Sequence, residues 1–284
     1  MTELIKTIPE MRAIVAGWKK NEKTLGLVPT MGFLHAGHKS LMDRARAEND
    51  RVVVSIFVNP IQFGPGEDLA AYPRDLERDL ETCRAAGAEA VFFPEASEMY
   101  PPEARTRVTM TGLTETLCGA SRPGHFQGVL TVVTKLFNII RPDRAYFGRK
   151  DAQQLAVIKR LARDLDMPVA VVGCPLVREP DGLALSSRNI YLSAEERRAA
   201  LVLSRGLAAG RALLAAGEIS AEAVKGEMKA LINEDPLVRL DYLEIVDAAT
   251  MAPVAAIDRP ILAALAAFVG RARLIDNFSW PDHD

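Results

Sequence analysis

Two histidines, His35 and His38, are the residues of this chain whose type and spacing are best suited to chemistry. They follow an apolar run at residues 24–28 that is typical of a buried strand, and a helix is expected to begin beside them. Backbone N–H groups at a helix N-terminus are unpaired and carry partial positive charge, so this turn could bind an anionic phosphate. Side chains three residues apart share one helix face, which would let both histidines reach the same phosphate.

The His-x-Gly-His spacing alone leaves three interpretations open. Phosphate binding, two ordinary turn histidines and half of a metal site are all compatible with His35, Gly37 and His38. A zinc site needs further ligands, and no third ligand with suitable spacing is evident nearby in the sequence. The metal interpretation is therefore the weakest of the three.

A second segment, Gly148 to Gln154, is another loop that leads into a predicted helix. A glycine followed by Arg149 and Lys150 at a helix start could hold phosphate, and Asp151 could cap the helix or contact a ribose or magnesium. A solvated, charged helix start is the alternative, and it is equally compatible with these residues.

A third segment, residues 177–189, places two hydroxyl side chains directly before an arginine. Ser186, Ser187 and Arg188 could form a clamp for a triphosphate. The alternative is a linker between domains, which composition alone does not exclude.

Composition indicates an ordinary globular protein and argues against two classes of binding partner. The chain has 284 residues, of which 49% are apolar and 25% charged, with a net charge of −2. A general binder of nucleic acid or of membrane surfaces is usually basic, so neither partner is expected. The longest apolar run, residues 261–269, is far shorter than the roughly 20 residues that span a bilayer. Three widely spaced cysteines and no visible signal peptide favour the cytoplasm.

Strands and helices alternate through the first part of the chain, which predicts parallel β/α units. Ligands of such folds bind at the carboxyl ends of the strands. We therefore expect a Rossmann-like domain over residues 1–176 and a smaller α+β domain over residues 177–284. The strands are expected at residues 24–28, 51–58, 90–94, 105–111, 144–147 and 168–174 in the first domain, and at 240–246, 261–269 and 271–276 in the second. A capping box at Ser193 predicts the start of a long helix in the second domain.

Taken together, the three segments resemble the pantothenate synthetases, a family of the nucleotidylyl-transferase group. The resemblance rests on the order His-x-Gly-His, Gly-x-Lys-Asp and Ser-Ser-Arg-Asn, and it extends from about residue 25 to residue 192. Further segments that match are residues 28–32, 55–63, 72–74, 125–129 and 186–189.

The resemblance implies an ATP-dependent ligase that joins pantoate to β-alanine and releases AMP and pyrophosphate. In the family, the pantoate carboxylate attacks the α-phosphate, and the amine of β-alanine then displaces AMP from the pantoyl adenylate. This chemistry needs in-line positioning and neutralisation of charge on the phosphoryl oxygens, with Mg²⁺ assisting. A carboxylate is already a nucleophile at neutral pH, so no strong base is required. The family also implies a homodimer.

By the same resemblance, the site residues fall into three groups. His35 and His38 would stabilise the α-phosphate in the transition state, with His38 as proton donor, and Lys150 and Arg188 would act with them in catalysis. The residues expected at ATP are Met31, Gly32, Phe33, Leu34, His35, Ala36, Gly37, His38, Gly148, Arg149, Lys150, Asp151, Val177, Leu185, Ser186, Ser187 and Arg188. Those expected at pantoate and β-alanine are Gln62, Gln154 and Met31, with Asn59 and Tyr72 second.

Several positions stay open at this point. Asp79 could be a carboxylate near ATP-bound Mg²⁺ or an ordinary solvated acid of a helix. Arg122 and His125 could line the pantoate side or cap the next helix. Position 149 is Arg where the family more often has Glu or Gln, and position 185 is Leu where the family more often has Met. An adenylyltransferase with a dinucleotide product and an inert RNA-binding relative of a synthetase are the competing functions.

Overall fold

The computed structural model describes residues 2–282, and they form two compact units. The first unit contains the residues up to 110, together with 122–149 and 154–174. The second contains residues 111–121, 150–153 and those from 175 onward. Within the described residues, no helix is both long enough and apolar enough to cross a membrane.

Six parallel strands form the sheet of the first unit, in the order β1-β4-β3-β2-β5-β6, which confirms the predicted Rossmann-like class. The apolar runs of the four inner strands are buried, as is usual for strands covered by helices on either side. The strands are β1 (Glu3–Ile5), β2 (Leu25–Thr30), β3 (Arg51–Ile56), β4 (Ala90–Phe92), β5 (Arg144–Gly148) and β6 (Ala170–Cys174).

The strand order reverses beside β2. The chain runs from β2 through β3 to β4 in one direction and then returns to place β5 on the other side of β2. Ligands of open parallel sheets bind in the crevice at such a switch point, outside the carboxyl ends of the strands. The histidine motif follows β2 and the Gly148 segment follows β5, so both leave the sheet at this point.

Three of the helices in this part of the chain begin with a side-chain N-cap. Thr7 and Glu10 form a capping box at α1, and Asp75 accepts a hydrogen bond from the Arg78 backbone N–H at the start of α3. The helices are α1 (Ile8–Lys20), α2 (Ala36–Glu48), α3 (Leu76–Ala85), α4 (Ala96–Met99), α5 (Leu117–Ser121), α6 (His125–Ile140) and α7 (Ala152–Asp164).

The second unit packs two helices on a three-stranded antiparallel sheet of order β7-β8-β9. The predicted capping box is confirmed, since the Ser193 hydroxyl accepts from the Glu196 backbone N–H and the Glu196 carboxylate accepts in return. The elements are α8 (Ala194–Ala215), α9 (Ala221–Ile232), β7 (Val238–Asp247), β8 (Ile261–Val269) and β9 (Ala272–Trp280).

One strand prediction was wrong, and one strand was missed. Residues 105–111 alternate in polarity but form no strand, because the Val108 backbone N–H is bonded to the Thr131 hydroxyl of α6 at 3.0 Å instead of to a ladder. The short strand β1 was missed, because three residues carry too little periodicity to be recognised.

A close contact between main chains joins α6 to the short 3₁₀ turn at Pro60–Gln62. A Cβ atom at Gly128 would lie 2.5 Å from Gln62 Cα and 2.5 Å from the Ile61 carbonyl oxygen. Both neighbours are backbone atoms, so no side chain could move aside. Glycine at this position therefore sets the distance between α6 and the turn that carries Gln62.

We predict that Gly128→Ala lowers the free energy of unfolding by about 1–3 kcal/mol, because the backbone of the turn must move to accept the methyl group. Gly17→Ala is the matched control: nothing lies within 4 Å of the new Cβ in α1, so stability should rise by up to about 1 kcal/mol. Urea unfolding of both variants measures the difference. Equal stability of the two variants would contradict the prediction.

Candidate active site

The turn between β2 and α2 has an unusual backbone conformation. Gly32 has φ +83° and Phe33 has φ +51°, so two successive residues are left-handed. A left-handed conformation costs a residue with a Cβ about 1–2 kcal/mol, so Phe33 needs an external interaction to hold it there.

Asp79 of α3 supplies that interaction. One carboxylate oxygen accepts the Phe33 backbone N–H at 2.8 Å and the other accepts the Leu34 backbone N–H at 2.6 Å. The Asp79 side chain is only 1% exposed, and burial raises the pKa of its carboxyl while the two N–H groups oppose that rise. On the same helix, the Arg78 guanidinium lies 5.1 Å from the centre of the Phe33 ring. The α3 helix therefore fixes the turn that leads into the histidine motif.

His35 and His38 lie together at the start of α2, with ring centres 4.1 Å apart. His35 Nδ1 accepts the Gly37 backbone N–H at 3.2 Å, and His38 Nδ1 accepts the His35 backbone N–H at 3.3 Å. A backbone N–H can only donate, so the ring proton of each neutral histidine lies on Nε2. The start of α2 thus carries two Nε2–H donors together with the positive end of the helix.

Gln62 lies at the end of the 3₁₀ turn and is 8% exposed. Its Oε1 accepts from Asn59 Nδ2 at 3.0 Å, and its Nε2 donates to Met31 Sδ at 3.1 Å. Gln62 therefore contacts two of the other residues predicted at pantoate, Met31 and Asn59, within the first unit. Tyr72 is buried and packs edge-on against Phe63, with ring centres 6.1 Å apart.

Arg122 and His125 hold the main chain of the same turn. Arg122 forms two bonds to Glu67, from Nε at 2.8 Å and from Nη2 at 2.6 Å, and its Nη1 lies 3.1 Å from His125 Nε2. A guanidinium can only donate, so His125 Nε2 accepts and its Nδ1–H donates to the Gln62 carbonyl oxygen at 2.9 Å. Burial raises the pKa of the Glu67 carboxyl, but the bonds and charge of Arg122 outweigh it and hold that pKa below its ordinary value.

The predicted site residues from position 148 onward are divided between the two units. Gly148, Arg149 and Gln154 belong to the first unit, and the second contains Lys150, Asp151, Val177, Leu185, Ser186, Ser187 and Arg188. The Lys150 ammonium lies 3.4 Å from Asp151, and the Lys150 carbonyl accepts from Asn277 Nδ2 of β9 at 2.8 Å. Val177 and Leu185 are joined by a backbone bond of 3.0 Å, which closes the 177–185 segment into a narrow loop.

Ser186 caps a 3₁₀ turn, Ser187–Tyr191, that carries Arg188. The Ser186 hydroxyl accepts the Arg188 backbone N–H at 3.2 Å. Asn189 ties the turn to the preceding loop, since its Nδ2 donates to Glu179 at 2.7 Å. Arg197 of α8 holds the same loop through Glu179 and Asp181, each at 2.7 Å.

The two adjacent glutamines of α7 differ in how their amides are used. Gln153 is buried, accepts from the Cys118 backbone N–H, and donates to the carbonyls of Leu113 and Thr116. Its amide is therefore committed to the 111–121 segment. In the part of the chain that the structure describes, no hydrogen bond engages the side-chain amide of Gln154, which leaves it available to a ligand.

Among residues 2–282, no group of three or more His, Cys, Asp or Glu side chains could hold a metal ion. Both oxygens of Asp79 accept backbone N–H groups, so a position for Asp79 beside ATP-bound Mg²⁺ stays a prediction.

Sequence reasoning missed three residues that shape the site: Glu67, Tyr100 and Gln153. Each is hydrogen-bonded to the main chain or a side chain of a residue elsewhere in the chain. A motif search has no signal for such contacts, because their partners are 35 to 55 residues away in the chain.

Comparisons with known proteins agree on one family. Residues 3–279 match the family model of the pantoate-beta-alanine ligases. The pantothenate synthetase of Ruminiclostridium cellulolyticum is 57% identical over 98% of this chain and 99% of its own length. The pantothenate synthetase of Thermotoga petrophila is 55% identical over 97% of this chain and 98% of its own length.

Solved structures agree with the sequence matches. The pantothenate synthetase of Thermus thermophilus superposes with a TM-score of 0.92 at 48% identity, covering 97% of this chain and 98% of that one. The pantoate-beta-alanine ligase of Francisella tularensis, solved in complex with beta-gamma ATP and β-alanine, superposes with a TM-score of 0.80 at 33% identity. This superposition covers 98% of this chain and 97% of the Francisella tularensis chain.

We predict that Asp79→Asn lowers the free energy of unfolding by about 1–3 kcal/mol at neutral pH, because an NH₂ group then faces one of the two backbone N–H donors. The raised pKa of Asp79 adds a pH dependence. Because the folded state binds this proton more tightly than the unfolded state, protonation of Asp79 stabilises the fold. This stabilisation is complete at pH values below the ordinary pKa of about 3.9 and is lost as pH rises through the raised pKa. The gap between wild type and variant should therefore narrow with rising pH, as measured by urea unfolding at several pH values.

Asp75→Asn is the matched control for this substitution. It removes the same charge from the same helix, but Asn caps a helix about as well as Asp, so stability should change little. If both variants unfold at the same denaturant concentration at every pH, the role of Asp79 in holding the turn is wrong.

Proposed function

The chain belongs to the pantoate-beta-alanine ligase family and condenses pantoate with β-alanine using ATP, and we propose that it does so through a pantoyl adenylate. In this reaction a pantoate carboxylate oxygen bonds to the α-phosphorus as the bond to pyrophosphate breaks. The β-alanine nitrogen then bonds to the acyl carbon, and AMP leaves with the electron pair of the broken C–O bond. The amine loses a proton in the second step.

One observation carries the proposal: two neutral histidines with Nε2–H donors lie at a helix start beside the switch point of a parallel sheet. Charge that develops on phosphoryl oxygens is stabilised by fixed donors of this kind, which need no reorganisation during the reaction. The carboxylate nucleophile needs no base, so donors and positioning suffice. We assign His35 and His38 to the α-phosphate and the proton-donating role to His38.

The residues proposed at ATP are drawn from several segments of the chain. Gly37 lets the nucleotide approach the backbone of α2, while Lys150 and Arg188 neutralise phosphate charge and Asp151 accepts from the ribose. Backbone groups of Val177 and Leu185 would meet the adenine. The rest of the proposed ATP set is Met31, Gly32, Phe33, Leu34, Ala36, Gly148, Arg149, Ser186 and Ser187, as expected from the family resemblance.

We place pantoate at the side-chain amides of Gln62 and Gln154, next to Met31. Asn59 and Tyr72 are proposed on the same side of the first unit. The relative from Francisella tularensis binds β-alanine and an ATP compound together, which supports one site for both half-reactions. Mg²⁺ would enter with ATP and supply charge neutralisation at the phosphates.

Three further properties are proposed on the family resemblance. The catalytic domain would cover residues 1–176 and the lid domain residues 177–284. The working form would be a homodimer. A cytoplasmic location is supported by three cysteines, Cys83, Cys118 and Cys174, that are all free thiols.

We expect pyrophosphate exchange into ATP that requires pantoate and does not require β-alanine, because the adenylate forms before the amine reacts. Addition of β-alanine should convert the exchange into stoichiometric AMP and pantothenate. Radiolabelled pyrophosphate measures the first reaction and chromatography the second. If pantothenate forms but no exchange occurs without β-alanine, the adenylate intermediate is wrong.

We predict that His38→Ala lowers kcat for the exchange reaction by about 10²–10³-fold, as expected for the loss of one transition-state donor. Lys39→Ala is the matched control, since Lys39 is the next residue of α2, is exposed and pairs with Asp43 at 2.7 Å. Circular dichroism verifies that both variants fold. A His38 variant with the kcat of wild type would remove the assigned role.

A further inference from the structure

The orientation of the Gln62 amide is fixed by a chain of hydrogen bonds that begins at a main-chain atom. The carbonyl oxygen of Gly128 in α6 lies 3.1 Å from the side-chain nitrogen of Asn59. A carbonyl can only accept, so Asn59 must present its NH₂ group to Gly128. This contact fixes the orientation of the Asn59 amide, with its nitrogen towards Gly128.

The same nitrogen decides the orientation of the next amide. Asn59 Nδ2 has a second proton, which it donates to Gln62 Oε1 at 3.0 Å. Gln62 must therefore turn its oxygen towards Asn59 and its nitrogen away from it. The nitrogen donates one proton to Met31 Sδ at 3.1 Å, which is a weak acceptor.

Tyr100 forms a hydrogen bond with the oxygen of the Asn59 amide. Its hydroxyl donates to Asn59 Oδ1 at 2.9 Å. Burial raises the pKa of the Tyr100 hydroxyl, so it keeps its proton at neutral pH and remains a donor. Both protons of Asn59 Nδ2 and its oxygen are thus engaged, and the residue is 1% exposed.

The main chain of Gln62 is held as firmly as its side chain. His125 Nδ1–H donates to the Gln62 carbonyl, and Gly128 allows the turn to lie against α6. Rotation of the whole residue is therefore opposed, and the polarity of its amide cannot be reversed by moving the backbone.

We propose that Asn59 is a positioning residue that orients the Gln62 amide, so that Gln62 meets the acid substrate as a hydrogen-bond donor. The inference rests on the proposed function, in which Gln62 contacts pantoate. In this role Asn59 acts through Gln62, which replaces the expectation that it contacts pantoate directly, and Tyr100 holds Asn59 in place. The oxygens of a carboxylate or a hydroxyl are acceptors and fit such a donor, whereas a group that only donates at the same point is rejected.

The test compares the pantoate KM of three variants in the pyrophosphate exchange reaction. Asn59→Asp replaces the nitrogen by an oxygen that cannot donate to Gln62, so the Gln62 amide should turn and present its oxygen to the substrate. We expect the pantoate KM to rise at least about tenfold, with the KM for ATP unchanged. Asn138→Asp is the matched control because Asn138 is an exposed residue of α6, and it should leave both values unchanged.

The third variant separates amide orientation from the negative charge that Asn59→Asp adds. The double variant Asn59→Leu with Tyr100→Phe is uncharged and releases the Gln62 amide to rotate. We expect the pantoate KM to rise about two- to tenfold, the cost of ordering one side chain on binding. A pantoate KM equal to that of wild type in either folded variant would overturn the proposal.

A measurement on the unaltered chain decides the matter should both variants fail to fold. With ¹⁵N-labelled asparagine, both side-chain protons of Asn59 should exchange with deuterated solvent far more slowly than those of the exposed Asn138. Equal exchange rates would overturn the proposal. This readout does not depend on catalysis: a wild-type chain that shows slow exchange at Asn59 but no pantoate-dependent activity would refute the proposed function and leave the orienting contact intact.

Discussion

The main-chain contact between the Pro60–Gln62 turn and α6 is the constraint on which the candidate site depends. It needs glycine at position 128, because any Cβ there would overlap backbone atoms. The contact places the Gly128 carbonyl at Asn59 and the His125 ring at the Gln62 carbonyl. One helix thus holds both the side chain and the main chain of the residue proposed to recognise pantoate.

The histidine motif depends on a second contact of similar kind. Its turn contains two left-handed residues, and a buried carboxylate from α3 holds them by accepting two backbone N–H groups. Two hydrogen bonds from Phe33 and Leu34 offset part of the conformational cost at Phe33 and part of the cost of burying Asp79, whose pKa is still raised by burial. These bonds fix the position of the chain just before His35.

Much of the fold could be predicted from the sequence, because most strands are buried apolar runs and several helices begin with a recognisable cap. The Thr24 to Val28 run and the Ser193 capping box each mark an element within one or two residues of its observed start. The predictions failed where the local pattern was short or misleading, at β1 and at residues 105–111. In the latter, a side chain of α6 satisfies the backbone that a neighbouring strand would otherwise satisfy.

The candidate residues themselves could be proposed from motifs, but the contacts that orient them could not. Gln62 and His38 have signals in the sequence, whereas Glu67, Tyr100 and Gln153 act on partners distant in the chain. The family is shown by comparison, and the individual roles of site residues stay proposals.

The chain of hydrogen bonds that ends at Gln62 starts at a peptide carbonyl, and this has a consequence for how the protein can change. Side chains are replaced by single substitutions, but a substitution at position 128 keeps the peptide carbonyl and can only displace it from Asn59. No substitution at position 128 can therefore replace this hydrogen-bond acceptor by a donor and so reverse the orientation that Asn59 imposes on Gln62. A lineage could change what Gln62 recognises by substituting Asn59, but not by substituting residue 128.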